Sequence, residues 1–115
     1  MSRLWKFTLF PVLLLIAAFA LPLEAGTLEG VVTNHKGPVE NVTVEVRNIM
    51  TGAVVRATTD SNGFYRMENL RPGRYSLRAN AQGHESIWIP RILVEHGTTS
   101  QDLFLHADRS RPAGI

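Results

Sequence analysis

The sequence contains no cysteine, so it has neither a disulfide framework nor a thiolate metal site, and export to an oxidising compartment requires no oxidative folding. Stability has to come from packing. Lysine is nearly absent as well, with only Lys6 and Lys36 in the chain. Residues 26–115 hold ten basic and nine acidic side chains, a balance that lacks the concentrated positive charge of a nucleic-acid binder. No helical periodicity, internal repeat or low-complexity segment follows residue 25. The 115 residues are 44% hydrophobic and 19% charged, which excludes a disordered or fibrous chain and allows one small globular domain.

The first 25 residues differ in kind from the rest. Arg3 and Lys6 give a positive start, Val12 to Ala20 is an unbroken apolar run, and Leu23-Glu24-Ala25 ends in a small residue before Gly26, the order of a secretory signal peptide. Pro11 and Pro22 interrupt the apolar stretch, which falls short of the roughly 20 residues that span a bilayer and has no basic stop-transfer flank. Cleavage after residue 25 is the expectation, and an uncleaved leader is the one route to membrane contact. The absence of cysteine excludes lipidation at that point. The compartment expected is periplasmic or extracellular.

From Gly26 onward, β-prone runs alternate with turn clusters about every 8 to 12 residues, as in a sandwich or barrel. Thr27 to Thr33 reads as a strand broken by Asn34-His35-Lys36-Gly37-Pro38. Asn41 to Arg47 has a period of two, so Val42, Val44 and Val46 face a core while Thr43, Glu45 and Arg47 face water. Ala53 to Thr59 follows the Met50-Thr51-Gly52 turn. Asp60-Ser61-Asn62-Gly63 leads into Phe64 to Glu68, and Leu70-Arg71-Pro72-Gly73 into Tyr75 to Ala79, with Tyr75, Leu77 and Ala79 inward. Ile87 to Val94 contains Pro90, which cannot donate to a ladder and so places the strand at an edge or a bulge. Ser100 to His106 closes the domain with Leu103 and Leu105 inward. Residues 107–115 read as a flexible C-terminal tail.

These turns and strands carry a resemblance. Gly30-Val31-Val32, Gly37-Pro38-Val39, Val42 to Val46, Thr51-Gly52, Thr58-Thr59-Asp60, Gly63, the run Asn69 to Leu77 and Gly83 together resemble the carboxypeptidase regulatory-like domain over nearly the whole of residues 26–106. The resemblance implies an all-β, seven- to eight-stranded antiparallel Greek-key sandwich of the transthyretin-like or prealbumin-like type, related to starch-binding-like folds. Gly37, Pro38, Gly63, Pro72 and Gly73 then act as structural turn residues, and Tyr75 packs its ring inward with its hydroxyl reaching backbone. A zinc-peptidase domain is missing, so no peptidase activity carries over.

No residue pattern points to catalysis or to a cofactor. His35, His84, His96 and His106 sit in loops or at strand ends without pairwise spacing on one face. The Tyr-Arg-Gly-Ser tail of hydroxyisourate hydrolases is absent. Tyr65 and Tyr75 fall on inward positions, against the iron ligation of intradiol dioxygenases, and Lys36 lies in a loop, against an internal isopeptide bond. The sequon at Asn41-Val42-Thr43 reads as strand. Trp88 lies in the run Ile87-Trp88-Ile89, where alternation turns either Trp88 or its neighbours outward. Core packing is the commoner role of such a residue, whereas an outward Trp88 on an edge strand makes a platform for a sugar or a protein. Trp88, His84, Glu85 and Arg91 are the candidate contact residues. The expectation is an exported, non-catalytic interaction or structural module with a protein partner, the alternative being a carbohydrate-binding module with an exposed aromatic platform.

Overall fold

The computed structural model describes residues 25–108; most of the expected signal peptide (residues 1–24) and residues 109–115 of the expected tail lie outside the described residues. Nine strands follow in order: β1 Gly26–Asn34, β2 Gly37–Pro38, β3 Thr43–Asn48, β4 Val54–Thr58, β5 Phe64–Leu70, β6 Gly73–Asn80, β7 Ile87–Val94, β8 Gly97–Ser100 and β9 Leu103–Phe104. They form two sheets with no helix among the described residues. One sheet has the order β4-β3-β6-β7, and the other sets β1 between β5 and the β8 and β9 segments, with β2 a short hairpin on β1.

The period-two pattern decides which faces meet. Val42, Val44, Val46, Tyr75, Leu77, Ala79, Ile92 and Val94 come from the four-stranded sheet, and Leu28, Val32, Tyr65, Met67, Leu70, Leu103 and Leu105 from the other. Together they make one core, in which each fully buried aliphatic side chain contributes about 1.5–3 kcal/mol. The inward assignments made from alternation on β3, β6 and the closing segment all hold.

The sheet is not wholly antiparallel, contrary to the expectation. After β7 the chain returns to lay β8 and then β9 alongside β1 in the same direction, Glu29 opposite Ser100 and Val32 opposite Leu103. Between these segments Gln101 donates its amide to the Glu29 carbonyl (2.8 Å), and the Asp102 carboxylate takes the Val31 amide (2.9 Å). The Tyr65 hydroxyl donates to the Gln101 carbonyl. Gly30 makes room for this: a Cβ there would stand 2.0 Å from the Gln101 carbonyl oxygen.

Three local expectations are also revised. Asn41 is not in a strand but in a left-handed turn (φ 65°), and β3 begins at Thr43. Gly37 and Pro38 do not merely break a strand; they pair with Asn34 and Thr33 to close a hairpin. Leu70 and Gly73 belong to β5 and β6, and the left-handed residue beside that turn is Asn69 (φ 61°), an amide residue that tolerates such angles. Gly63 fulfils its expected role with φ 74°, held by the Asp60 carboxylate, which accepts the Asn62 and Phe64 amides. Tyr75 buries its ring, and its hydroxyl donates to the Arg71 carbonyl (2.7 Å). Two buried polar side chains carry structure the sequence did not advertise. Asn48 caps the β3–β4 turn at the Met50 and Thr51 amides, and Thr59 bridges Val39 and Val42.

Candidate functional site

Strand β7 is an edge, as Pro90 predicts, and it is also bulged. Tyr75 pairs with Ile92 and Leu77 with Ile89, so β7 spends two residues, Pro90 and Arg91, where β6 spends one. The bulge keeps Ile89 and Ile92 directed at the core on either side of the irregularity. Alternation then turns Trp88 and Leu93 outward, at 62% and 56% exposure. Core packing of Trp88 is therefore overturned: Ile87 and Ile89 occupy the inward positions and pack against the core, which leaves the indole no place there.

Register builds the surroundings of Trp88. Arg78 is its cross-strand partner on β6, Glu45 stands opposite Arg78 on β3, and Arg56 stands opposite Glu45 on β4. One line thus runs Arg56, Glu45, Arg78, Trp88 across all four strands, about 14 Å from first strand to last at the usual interstrand spacing. The next line sets Arg47 opposite Ser76, and beyond it Arg74 stands opposite Leu93. Glu45, Arg47, Ser76, Arg78 and Trp88 enclose a shallow depression of about 70 Å³, too small to swallow a ligand. The site is a face rather than a pocket.

Its charge is one-sided. Arg56 pairs with Glu45 at 3.2 Å, largely exposed, a contact worth little in water. Arg47, Arg74, Arg78 and Arg91 are exposed and make no ion pair among the described residues. On the opposite sheet the outward charges include Glu29, Arg66 and Glu68, and there Arg66 is held by both acids.

The four expected contact residues do not form one group. Trp88 and Arg91 lie on β7, but His84 and Glu85 belong to the β6–β7 loop and are tied to the other sheet's end. His84 Nε2 lies 3.0 Å from Asn34 Nδ2, and its Nδ1 lies 2.9 Å from the Gln82 carbonyl. This pairing selects the tautomer protonated on Nδ1. The Glu85 amide donates to the His106 carbonyl, Ala107 bridges to His84, and the Asp108 amide reaches Gly83. An isolated bridge and two backbone hydrogen bonds thus fasten His106, Ala107 and Asp108 to the β6–β7 loop.

Residues 27–105 match the carboxypeptidase regulatory-like domain family. The chain belongs to this family. Within this regulatory-like domain no catalytic domain is identified, and among the described residues no group of three or more His, Cys, Asp or Glu side chains is arranged to hold a metal ion. Both tyrosines are buried with their hydroxyls committed to backbone carbonyls.

No curated protein sequence matches the chain significantly, but solved structures share its fold. A candidate carbohydrate-binding protein from Bacteroides uniformis superposes with a TM-score of 0.61 at 14% identity, over 72% of this chain and 42% of that one. The type II cohesin–X–dockerin complex of Acetivibrio cellulolyticus gives 0.60 at 18%, over 71% and 58%. GBS52, the minor pilin of Streptococcus agalactiae, gives 0.62 at 14%, over 80% and 48%. The chain spans less than two thirds of each, so the likeness is one of module and fold: prealbumin-like β-sandwiches found within larger proteins.

Sequence reasoning named Trp88 and Arg91 as candidates and did not name Arg47, Arg74, Ser76 and Arg78, which the structure sets on the same sheet face as Trp88. The signal was partly present, since alternation already turned Glu45 and Arg47 outward on β3. Which strand lies beside which was not readable, and only strand order brings β3 and β6 to Trp88.

Proposed function

We propose that this regulatory-like domain is an exported, non-catalytic binding module whose contact surface is the outer face of the β4-β3-β6-β7 sheet centred on Trp88, and that its ligand there is a carbohydrate. The observation that carries the reading is the indole itself. It is exposed on an edge strand and framed by Arg78, Arg47, Ser76 and Glu45. An exposed ring offers its face to the apolar side of a sugar, and polar side chains beside it are placed to meet hydroxyl groups. A flat face without a deep cavity suits a chain ligand that passes over it. The fold likeness to a candidate carbohydrate-binding protein supports this reading. Export to the periplasm or cell exterior follows from the signal-like residues 1–25, and nothing in the reading requires nucleic acid or a cofactor.

The generic alternative is a protein partner that covers the outward apolar side chains of β7, Trp88 and Leu93, without adding a strand to its edge, since exposed apolar side chains rimmed by polar ones mark protein contact sites. Titration calorimetry against a panel of soluble polysaccharides separates the two. Carbohydrate recognition predicts binding that Trp88→Ala weakens at least about tenfold, the scale of one lost stacking contact, while Phe104→Ala on the other sheet leaves it unchanged. Absence of any polysaccharide binding, or binding indifferent to Trp88→Ala, overturns the carbohydrate reading and leaves the protein partner.

A further inference from the structure

The charge carried by the Trp88 face says more about the ligand than the ring does. Five arginines, Arg47, Arg56, Arg74, Arg78 and Arg91, are exposed on this one sheet, against a single acid on its strands, Glu45. Glu45 is spoken for by Arg56. Yet residues 25–108 as a whole hold eight basic and nine acidic side chains. Positive charge is thus gathered on one face of a domain that is nearly neutral overall.

Resting on the carbohydrate reading above, we propose that this face recognises an acidic polysaccharide, one whose sugars bear carboxylates, with Trp88 stacking on a ring at the sheet edge and Arg78 and Arg47 pairing with carboxylates where the chain runs inward over β6 and β3. Three observations meet here. Arg78 is the cross-strand partner of Trp88, Arg47 lines the same depression one row along, and both lack an ion pair among the described residues. The guanidinium fork matches a carboxylate with two parallel hydrogen bonds. Ser76, between the two arginines, supplies a hydroxyl for the neutral part of the sugar.

Charge density favours this ligand over a nucleic acid. A polyphosphate with a charge every few ångströms is drawn to domains of high net positive charge, and the near-neutral domain supplies no such long-range attraction. Carboxylates spaced one per sugar need arginines that act at contact, which is how these are arranged. A single exposed ring likewise suits one stacked sugar better than the serial stacking of bases.

The test uses the full chain and three uronate polymers, polygalacturonate, alginate and hyaluronate, each paired with its carboxyl-reduced form. The expected result is that at least one polymer binds about tenfold more tightly than its reduced counterpart, and that the advantage shrinks as salt rises from about 0.05 M to about 0.3 M, where exposed charges are screened. Arg47→Gln with Arg78→Gln should remove that advantage, about threefold for each exposed pairing, while Arg66→Gln with Arg71→Gln, equal in net charge, should not. Unchanged circular dichroism and melting temperature exclude misfolding as the cause. Equal binding of acidic and reduced forms, still lost in Trp88→Ala, overturns the acidic ligand but leaves the carbohydrate reading standing. No binding of either form, with none across the neutral panel, overturns both. Tighter binding of a single-stranded oligonucleotide than of any uronate polymer overturns the proposal in favour of a nucleic acid.

Discussion

Tyr65 shows how much one side chain can fix. Its ring fills the core, its hydroxyl ties β5 to the Gln101 carbonyl, and that carbonyl sits where Gly30 has no Cβ. Burial first, and the negative charge of Asp102 second, push the hydroxyl well above the ordinary phenol range. In the unfolded chain the phenol ionises near pH 10. Above that pH the unfolded state gives up a proton the folded state keeps, so stability is intact below about pH 10 and falls as pH rises beyond it. Urea midpoints measured from about pH 8 to about pH 11 should decline over the alkaline half, and decline less in Tyr65→Phe. That variant should also start about 1 kcal/mol lower at neutral pH for want of its hydrogen bond. Parallel curves for the two proteins would place the alkaline loss elsewhere. Tyr75, by contrast, was legible in advance, because its inward position and its turn partner are close in sequence.

At the scale of the element, β7 is the strand on which the reading turns. Its proline, bulge and outward apolar residues have a common consequence: the edge is irregular and lacks one amide donor, which discourages addition of another strand. Pro90→Val restores a donor and a β-branched side chain beside the exposed Trp88 and Leu93. Concentration-dependent self-association in sedimentation velocity is expected of that variant and not of the native sequence. A variant that stays monomeric over the same range would show that Pro90 does not guard the edge. The proline's presence in the run Ile87 to Val94 announced the edge or the bulge, and the structure has both. It did not announce which neighbour β7 would take, since pairing to β6 depends on the hairpin closing through the whole loop that holds His84 and Glu85.

Taken whole, the molecule is a sandwich with unlike faces. The β4-β3-β6-β7 sheet presents arginines around Trp88 of which only Arg56 is ion-paired among the described residues, and the opposite sheet binds its outward arginine between two acids. A charged surface reads this asymmetry even when net charge is small. Arg47→Gln with Arg78→Gln should therefore elute earlier from a cation exchanger at neutral pH than Arg66→Gln with Arg71→Gln, although both carry the same net charge. Co-elution would mean that the face does not act as a patch. Because all four side chains lie outside the core, each double variant is expected to unfold within about 0.5 kcal/mol per site of the native sequence. Val44→Ala, in the core, should cost roughly 1–3 kcal/mol.

What the sequence determined by itself was everything carried by near neighbours: the alternation that set Val42, Val44, Val46, Tyr75, Leu77, Leu103 and Leu105 inward, the Asp60 to Gly63 turn, the edge character of the Pro90 strand, and the order of turns that marks the family. These depend on side-chain period and backbone angles over a few residues. The tertiary structure alone decided the parallel return of β8 and β9 onto β1, the outward placement of Trp88, and the meeting of Arg47, Ser76 and Arg78 around it. Those depend on strand order and register between segments tens of residues apart, which are set by how two apolar faces fill one core and not by the local pattern of either.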